Sequence, residues 1–391
     1  VKENIFNNKD FNNNLMSIGF WPGGDRDGNP FVTPEITLQV ANRLKNTIIK
    51  NYYRDVRELK RRLTFKGLGE KLNKIQNKLN DDIFGKENGD NFSSDILIDD
   101  LTQIKQLIIK EHQSLYLNLV DSLINKVKLF GSYFATMDIR QDSRIHNSVF
   151  NELVKSSISN KLNFFPNNYF DLSESEQIKI LSQTNGVIDL SYFSDELVLN
   201  TLNTIKVIKE IQIKNGEKAA NRYIISNNKT ALNVMQLFAM LKIVSFNEKL
   251  TIDICPLFET VEDLENAADV MKVLYENNAY SEHLITRNSK QHIMLGFSDG
   301  TKDGGYLMAN WAIYKAKQRL TSISRDYKFD VIFFDGRGGP PARGGGKTHK
   351  FYASLGPSIE SKEVQLTIQG QTISSNFGTL DSSKYNIEQL M

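Results

Sequence analysis

The chain has 391 residues, of which 40% are hydrophobic and 24% charged, and its formal net charge is +2. That length holds two or three average domains or one large α/β barrel, the composition is that of a globular enzyme, and the near-neutral charge excludes the electrostatic footprint of a nucleic-acid or polyanion binder. The single cysteine, Cys255, excludes an intrachain disulfide and a cysteine-based zinc cage and fits a cytoplasmic location, while no apolar run reaches the roughly 18 residues of a membrane span.

The first 130 residues read as mostly helical. Thr33-Pro34 has the cap and first-turn chemistry of a helix start, with Glu35 in the first turn. Ile36, Val40, Leu44, Ile48, Tyr52, Val56, Leu59 and Leu63 then recur three or four apart, as one helix face demands. Residues 81–97 are polar and contain glycines, which predicts a loop. A second long helix is expected from about Asp99 to Phe130, closed by Gly131.

From Gly131 to residue 391 short strands alternate with helices. Strands are predicted at Tyr133–Ile139, Tyr223–Ile225, Leu250–Phe258, Ile293–Phe297, Val331–Phe334 and Val364–Ile368. Helices are predicted at Val261–Glu276, opened by a Thr260–Asp263 capping box, and at Gly305–Ser324. In the last strand, alternation of Val364, Leu366 and Ile368 with polar residues predicts one buried face. Alternating units of this kind form a largely parallel sheet or a barrel, with ligands at the carboxyl ends of the strands.

Those ends are charged. The first strand runs into Arg140, the third into Glu259, the fourth into Ser298-Asp299-Gly300-Thr301-Lys302-Asp303, and the fifth into Asp335. After Asp335, six glycines fall within Gly336–Gly346, together with Arg337 and Arg343. Glycine lets backbone approach a ligand closely, and arginine's fork of donors suits phosphate and carboxylate oxygens. The ending Gly346-Lys347-Thr348 imitates a phosphate-binding P-loop, but the position that must be its first glycine is Pro341. Glu259 and Asp299, without histidine or cysteine beside them, make a hard oxygen site suited to magnesium or manganese. Taken singly, each of these groups is equally readable as a helix cap or a surface ion pair.

Five segments in order carry a family resemblance: Trp21–Pro30 (WPGGDRDGNP), Met137–Ser143 (MDIRQDS), Pro256–Thr260 (PLFET), Gly296–Asp303 (GFSDGTKD) and the loop Gly336–Gly346. In these the chain resembles phosphoenolpyruvate carboxylases along nearly its whole length. The resemblance implies a helix-rich α/β chain, 1–130 being a helical lead-in and 131–391 part of a TIM-like β/α barrel. It implies an enzyme that joins phosphoenolpyruvate to bicarbonate through carboxyphosphate and an enolate held by Mg2+ or Mn2+, giving oxaloacetate and phosphate. It further implies a cytoplasmic homotetramer with no nucleic-acid or membrane partner. By position, Glu259 and Asp299 resemble the metal ligands. Arg140 and Arg337 resemble the phosphate-binding arginines, and Lys302 an active-site lysine. Arg343 matches the loop arginine of carboxyphosphate handling, and Trp21 a tryptophan near bicarbonate; a half-buried core aromatic is the competing reading of Trp21.

Two departures qualify the match. Asp335 stands where the family has histidine, which removes a polar wall of the carbon dioxide pocket and introduces a carboxylate, while Pro340-Pro341-Ala342 stiffens the following loop. The family's Thr-Ala-His-Pro-Thr motif, which carries a catalytic histidine, does not occur in residues 1–391. The expectation is therefore a central fragment of a longer enzyme, inactive by itself. A lapsed, metabolite-binding relative and a scaffold built on the long helices stay open as alternatives.

Overall fold

A computed structural model describes residues 15–84, 92–247, 249–336, 347–368 and 370–390. Arg337 and Arg343 lie outside the described residues, as does the side chain of Asp299. The described chain forms two compact units.

The first unit comprises Val1–Gly23, Glu35–Met137 and Glu210–Ala220. It contains strand β1 (Gly19–Phe20) and helices α1 (Pro34–Arg62), α2 (Leu68–Phe84), α3 (Ser94–Glu111) and α4 (Leu117–Phe130). Each helix contributes a stripe at helical spacing: Ile48, Tyr52, Val56, Leu59 and Leu63 from α1, Leu68, Leu72, Ile75 and Leu79 from α2, Leu97, Leu101, Ile104 and Ile108 from α3, and Val120, Leu123, Ile124 and Val127 from α4. Tyr52 buries its ring in this core and satisfies its hydroxyl by donating to the Gly131 carbonyl at 2.8 Å.

Two expectations for this unit need correction. Residues 81–84 end α2 and residues 94–97 begin α3, so the predicted loop is shorter than its polar composition suggested. The polar residues of α2 sit on its outer face while Leu72, Ile75 and Leu79 hold the inner one. The single helix expected from Asp99 to Phe130 is broken between Glu111 and Leu117, where Gln113, Ser114 and Tyr116 adopt positive φ. Gly131, also at positive φ, caps α4 by donating to the Val127 carbonyl at 2.9 Å.

The second unit comprises Gly24–Pro34, Asp138–Lys209 and Asn221–Met391. Strand β2 (Thr136–Asp142) leads into α5 (Ser143–Ser159), α6 (Glu174–Gln183), α7 (Glu196–Asn215) and β3 (Arg222–Ser226). There follow α8 (Ala231–Leu241), continued by a π-helical turn, then β4 (Asp253–Phe258), α9 (Val261–Glu276), α10 (Asn278–Thr286) and β5 (Lys290–Leu295). The chain continues through α11 (Phe297–Asp326), β6 (Asp330–Asp335), α12 (Thr348–Ala353), β7 (Val364–Leu366), α13 (Gly370–Phe377) and α14 (Leu380–Leu390).

All strand pairings are parallel, and spatial order follows chain order from β1 to β7. Sequential parallel strands with helical returns wind in one sense, the topology of a partial β/α barrel. The middle strands are buried on both faces, which explains continuous apolar runs such as Val331–Phe334. The Thr260 capping box is present: its hydroxyl accepts from Asp263 N at 3.1 Å while the Asp263 carboxylate accepts from Thr260 N at 3.0 Å. Strand β7 is shorter than predicted and half-buried throughout, without the expected alternation. Among the described residues it pairs only with β6, so it is an edge strand. Among the described residues no helix is long and apolar enough to cross a membrane.

Candidate functional site

The parallel register brings the charged strand ends to one rim. Phe258 pairs with Leu295 and Leu295 with Asp335, so Glu259 lies one residue beyond the row that holds Asp335. On the other side of β4, Asp142 pairs with Ser226, and Asn228 N donates to the Leu257 carbonyl at 3.2 Å. Helix α11 opens at this same rim. A Cβ built on Gly296 would meet the Glu259 Cα at 3.2 Å, and one on Gly300 would meet the Glu259 carbonyl oxygen at 3.4 Å. The first turn of α11, which contains Asp299, therefore runs against the backbone of Glu259.

Arg140 gathers the best-defined polar constellation. The Gly24–Pro34 loop runs beside the end of β2, with Arg26 N donating to the Arg140 carbonyl at 2.9 Å and Arg140 N donating to the Gly24 carbonyl at 3.0 Å. This extra rung sets Asp25 and Asp27 on either side of the guanidinium, at 3.2 Å and 2.6 Å. Glu259 Oε1 is 3.9 Å from the same guanidinium, while its Oε2 accepts from Asn227 N at 2.8 Å. Burial raises the Asp25 carboxyl above its usual range, a push that the neighbouring Arg140 only partly offsets. Burial would raise Asp142 as well, but hydrogen bonds from Arg144 outweigh it and hold that carboxyl low.

The loop is tied down by Arg26, a buried residue whose Nε donates to the Val32 carbonyl at 3.2 Å and whose other nitrogens reach Asn200 and Thr204 on α7. Behind it lies His146, fully buried, with Nε2 3.0 Å from the Tyr223 hydroxyl. Burial, reinforced by the nearby Arg26 cation, lowers the His146 pKa to about 3, so the imidazole is neutral. Deeper at the end of β3, Ser226 Oγ and both polar atoms of the Asn228 side chain are buried without a hydrogen-bond partner among the described residues.

Asp335, read from the sequence as an added negative charge, is fully buried and already compensated. Its Oδ2 accepts from Lys317 Nζ at 2.8 Å and from the Tyr352 hydroxyl at 2.7 Å. Lys302 sits on an exposed part of α11, before the break at Gly305. The neighbouring Asp303 accepts from Val261 N at 3.1 Å and ties this stretch to the start of α9. Trp21 is half-buried and belongs to the first unit.

Sequence reasoning brought forward Arg140 and Glu259, and the structure places them together. It passed over Asp25, Asp27, Arg26 and Lys317. The first three lie inside the WPGGDRDGNP segment, where two aspartates flanking one arginine in a glycine-rich turn were a readable sign of a charged loop. Lys317 had a weaker sign, a lysine four residues from buried Ile313 and three from buried Leu320.

A family model for phosphoenolpyruvate carboxylase matches residues 1–88 and 62–391. The two matched ranges together span the chain. The chain belongs to the phosphoenolpyruvate carboxylase family.

Proposed function

We propose that this chain provides the metal-binding and part of the phosphate-binding half of a carboxylase that converts phosphoenolpyruvate and bicarbonate to oxaloacetate and phosphate. The observation that carries the reading is the placement of Arg140 against Asp25, Asp27 and Glu259 at the carboxyl ends of consecutive parallel strands. In barrels of this type, substrate is handled at that rim.

Among the described residues no three carboxylate, histidine or cysteine side chains gather into a metal cluster, so the divalent cation is read from the family resemblance and from the hard oxygen chemistry of Glu259 and Asp299. Asp25, Asp27 and Glu259 lie around the Arg140 guanidinium, and Asp142 pairs with Arg144. Glu259 and Asp299 are the residues that would hold magnesium or manganese, as hard oxygen ligands. When bound, the cation supplies stabilisation of negative charge on the substrate's oxygens. Asp25 and Asp27 fix the plane of the Arg140 guanidinium, so that its fork meets a phosphoryl oxygen without first being ordered. Arg337 and Lys302 add positive charge for the transferred group, and Arg343 for the carboxylated intermediate, where a water-poor site strengthens each interaction. Asp335 takes the place of the histidine that walls the carbon dioxide pocket in the family. Residues 1–391 lack the histidine motif that the family uses to handle the proton, so turnover belongs to a polypeptide that includes it.

The deciding experiment is oxaloacetate formation, followed by coupled reduction, with phosphoenolpyruvate, bicarbonate and magnesium. The full-length gene product is expected to turn over, and residues 1–391 alone are not. A general acid–base group is typically worth ~10²–10⁴-fold in rate. An inactive full-length protein that still binds phosphoenolpyruvate would favour a lapsed, metabolite-binding relative instead.

A further inference from the structure

Lys317 and Asp335 are among the most deeply buried charged residues of the described chain, with side chains 1% and 0% exposed. They come from different elements, Lys317 from α11 and Asp335 from the last position of β6. The ammonium also lies over the rings of Phe333, Phe351 and Tyr352, at 5.0, 5.4 and 5.7 Å from their centres. Tyr352, on α12, donates to the same carboxylate oxygen as Lys317, while Asp335 Oδ1 is buried without a partner among the described residues. Either charge alone is costly at this depth, and the pair persists because each offsets the other's charge.

We propose that Lys317 is a positioning residue of the substrate site, acting through Asp335. It cancels and pins the carboxylate, so that an acidic residue can occupy the mouth of β6 without repelling anionic substrates. The inference rests on the carboxylase reading and adds to it a residue outside every motif that supports that reading. Asp335 lies two strands from β4 in a single row, Phe258–Leu295–Asp335. At about 4.8 Å per strand, its charge stands roughly 10 Å from the base of Glu259. An uncompensated unit charge at that distance, in an effective dielectric of about 20, weakens binding of a monoanion by roughly tenfold, and of a more highly charged phosphoenolpyruvate by more. A histidine at this position, as the resemblance leads one to expect, would bring no such burden.

The test compares K317Q and K317Q/D335N in the full-length protein. Both are assayed for oxaloacetate at varied phosphoenolpyruvate, with thermal unfolding measured in parallel. K317Q is expected to raise KM for phosphoenolpyruvate by about tenfold or more while kcat changes by less than about threefold, because the charge acts on ground-state and transition-state anions alike. K317Q/D335N, which removes both charges at near-constant shape, is expected to bring KM back down by at least about threefold from the single variant. A folded K317Q that loses thermal stability but keeps the wild-type KM would show a purely structural pair and overturn the proposal. So would a double variant no better than the single one. Should K317Q fail to fold, the double variant decides: a KM within about threefold of wild type supports charge cancellation, and a rise of about tenfold refutes it. Absence of turnover in the wild type would count against the carboxylase reading itself, an outcome separate from any of these.

Discussion

Acidification is expected to destabilise the second unit through three buried histidines. His146, His283 and His292 all lie in that unit and are all buried. Burial is the first cause in each case and lowers their pKa values to about 3, about 4 and about 3. Each also keeps one ring nitrogen buried without a partner among the described residues: Nδ1 of His146, Nε2 of His283 and Nδ1 of His292. Each folded-state value lies below the unfolded one of about 6.5, so the folded state binds fewer protons as pH falls. The stability these groups contribute is fully present above about pH 6.5 and is lost as pH drops from there toward the folded values. Between pH 7.5 and 5.5 each neutral imidazole loses on the order of 1 kcal/mol of stabilisation, and the three together roughly 3–4 kcal/mol. That is a large share of a typical net stability of about 5–15 kcal/mol. Asp25 works the other way, because its raised carboxyl favours the folded state on protonation, so it flattens the lower end of the curve. Urea unfolding followed by circular dichroism at pH 7.5, 6.5 and 5.5 measures the effect. His292→Gln, which keeps an amide beside the same neighbours, should remove about a third of the pH dependence. A midpoint that does not move between pH 7.5 and 5.5, or that moves equally in wild type and His292→Gln, would refute the assignment of buried neutral imidazoles.

Other outcomes follow from the same geometry. Glu259→Gln and Asp299→Asn should each weaken manganese binding by about tenfold or more, read by electron paramagnetic resonance, because a neutral amide is a poor ligand for a hard cation; unchanged binding in both would remove the metal assignment. Leu101→Ala, at a fully buried position of the helical core, should cost about 2–5 kcal/mol in denaturant unfolding of the first unit. Gly336→Ala places a Cβ 3.0 Å from the Leu295 carbonyl oxygen, a backbone atom that cannot turn aside, and should cost about 1–3 kcal/mol. A neutral substitution there would mean that the two strand ends separate freely.

Elements whose burial is periodic were legible in the chain, and those whose burial is continuous were only partly so. The start of α1 at Pro34 and the opening of α9 at Thr260 were readable because capping chemistry is local. Strand positions were readable because apolar runs such as Val331–Phe334 stop at charged residues. Helix α2 was missed because its polar outer residues outnumber the four leucine and isoleucine positions that face inward. The break between α3 and α4 was missed because Gln113, Ser114 and Tyr116 carry no glycine to announce their positive φ. In β7 the alternating pattern described what each residue would prefer, while an edge position left both faces half-covered.

The rim itself shows where single-chain reading stops. Arg140 and Glu259 were found because strand ends can be located from pattern, and parallel strands bring their ends together whatever the loops between them do. Asp335 is located by the same rule, but the groups packed around it are not. Whether a carboxylate at a strand end is a liability depends on what fills the space beside it, and here that is a lysine eighteen residues earlier on the preceding helix. Lys317 advertised itself only as a cation on the buried stripe of α11, between Ile313 and Leu320. A buried lysine must have a partner, and only a few acidic residues are placed on elements that could supply one. A cation that the helix pattern keeps from solvent calls for a carboxylate that the fold can bring to it, and Asp335 at the end of the next strand meets that need.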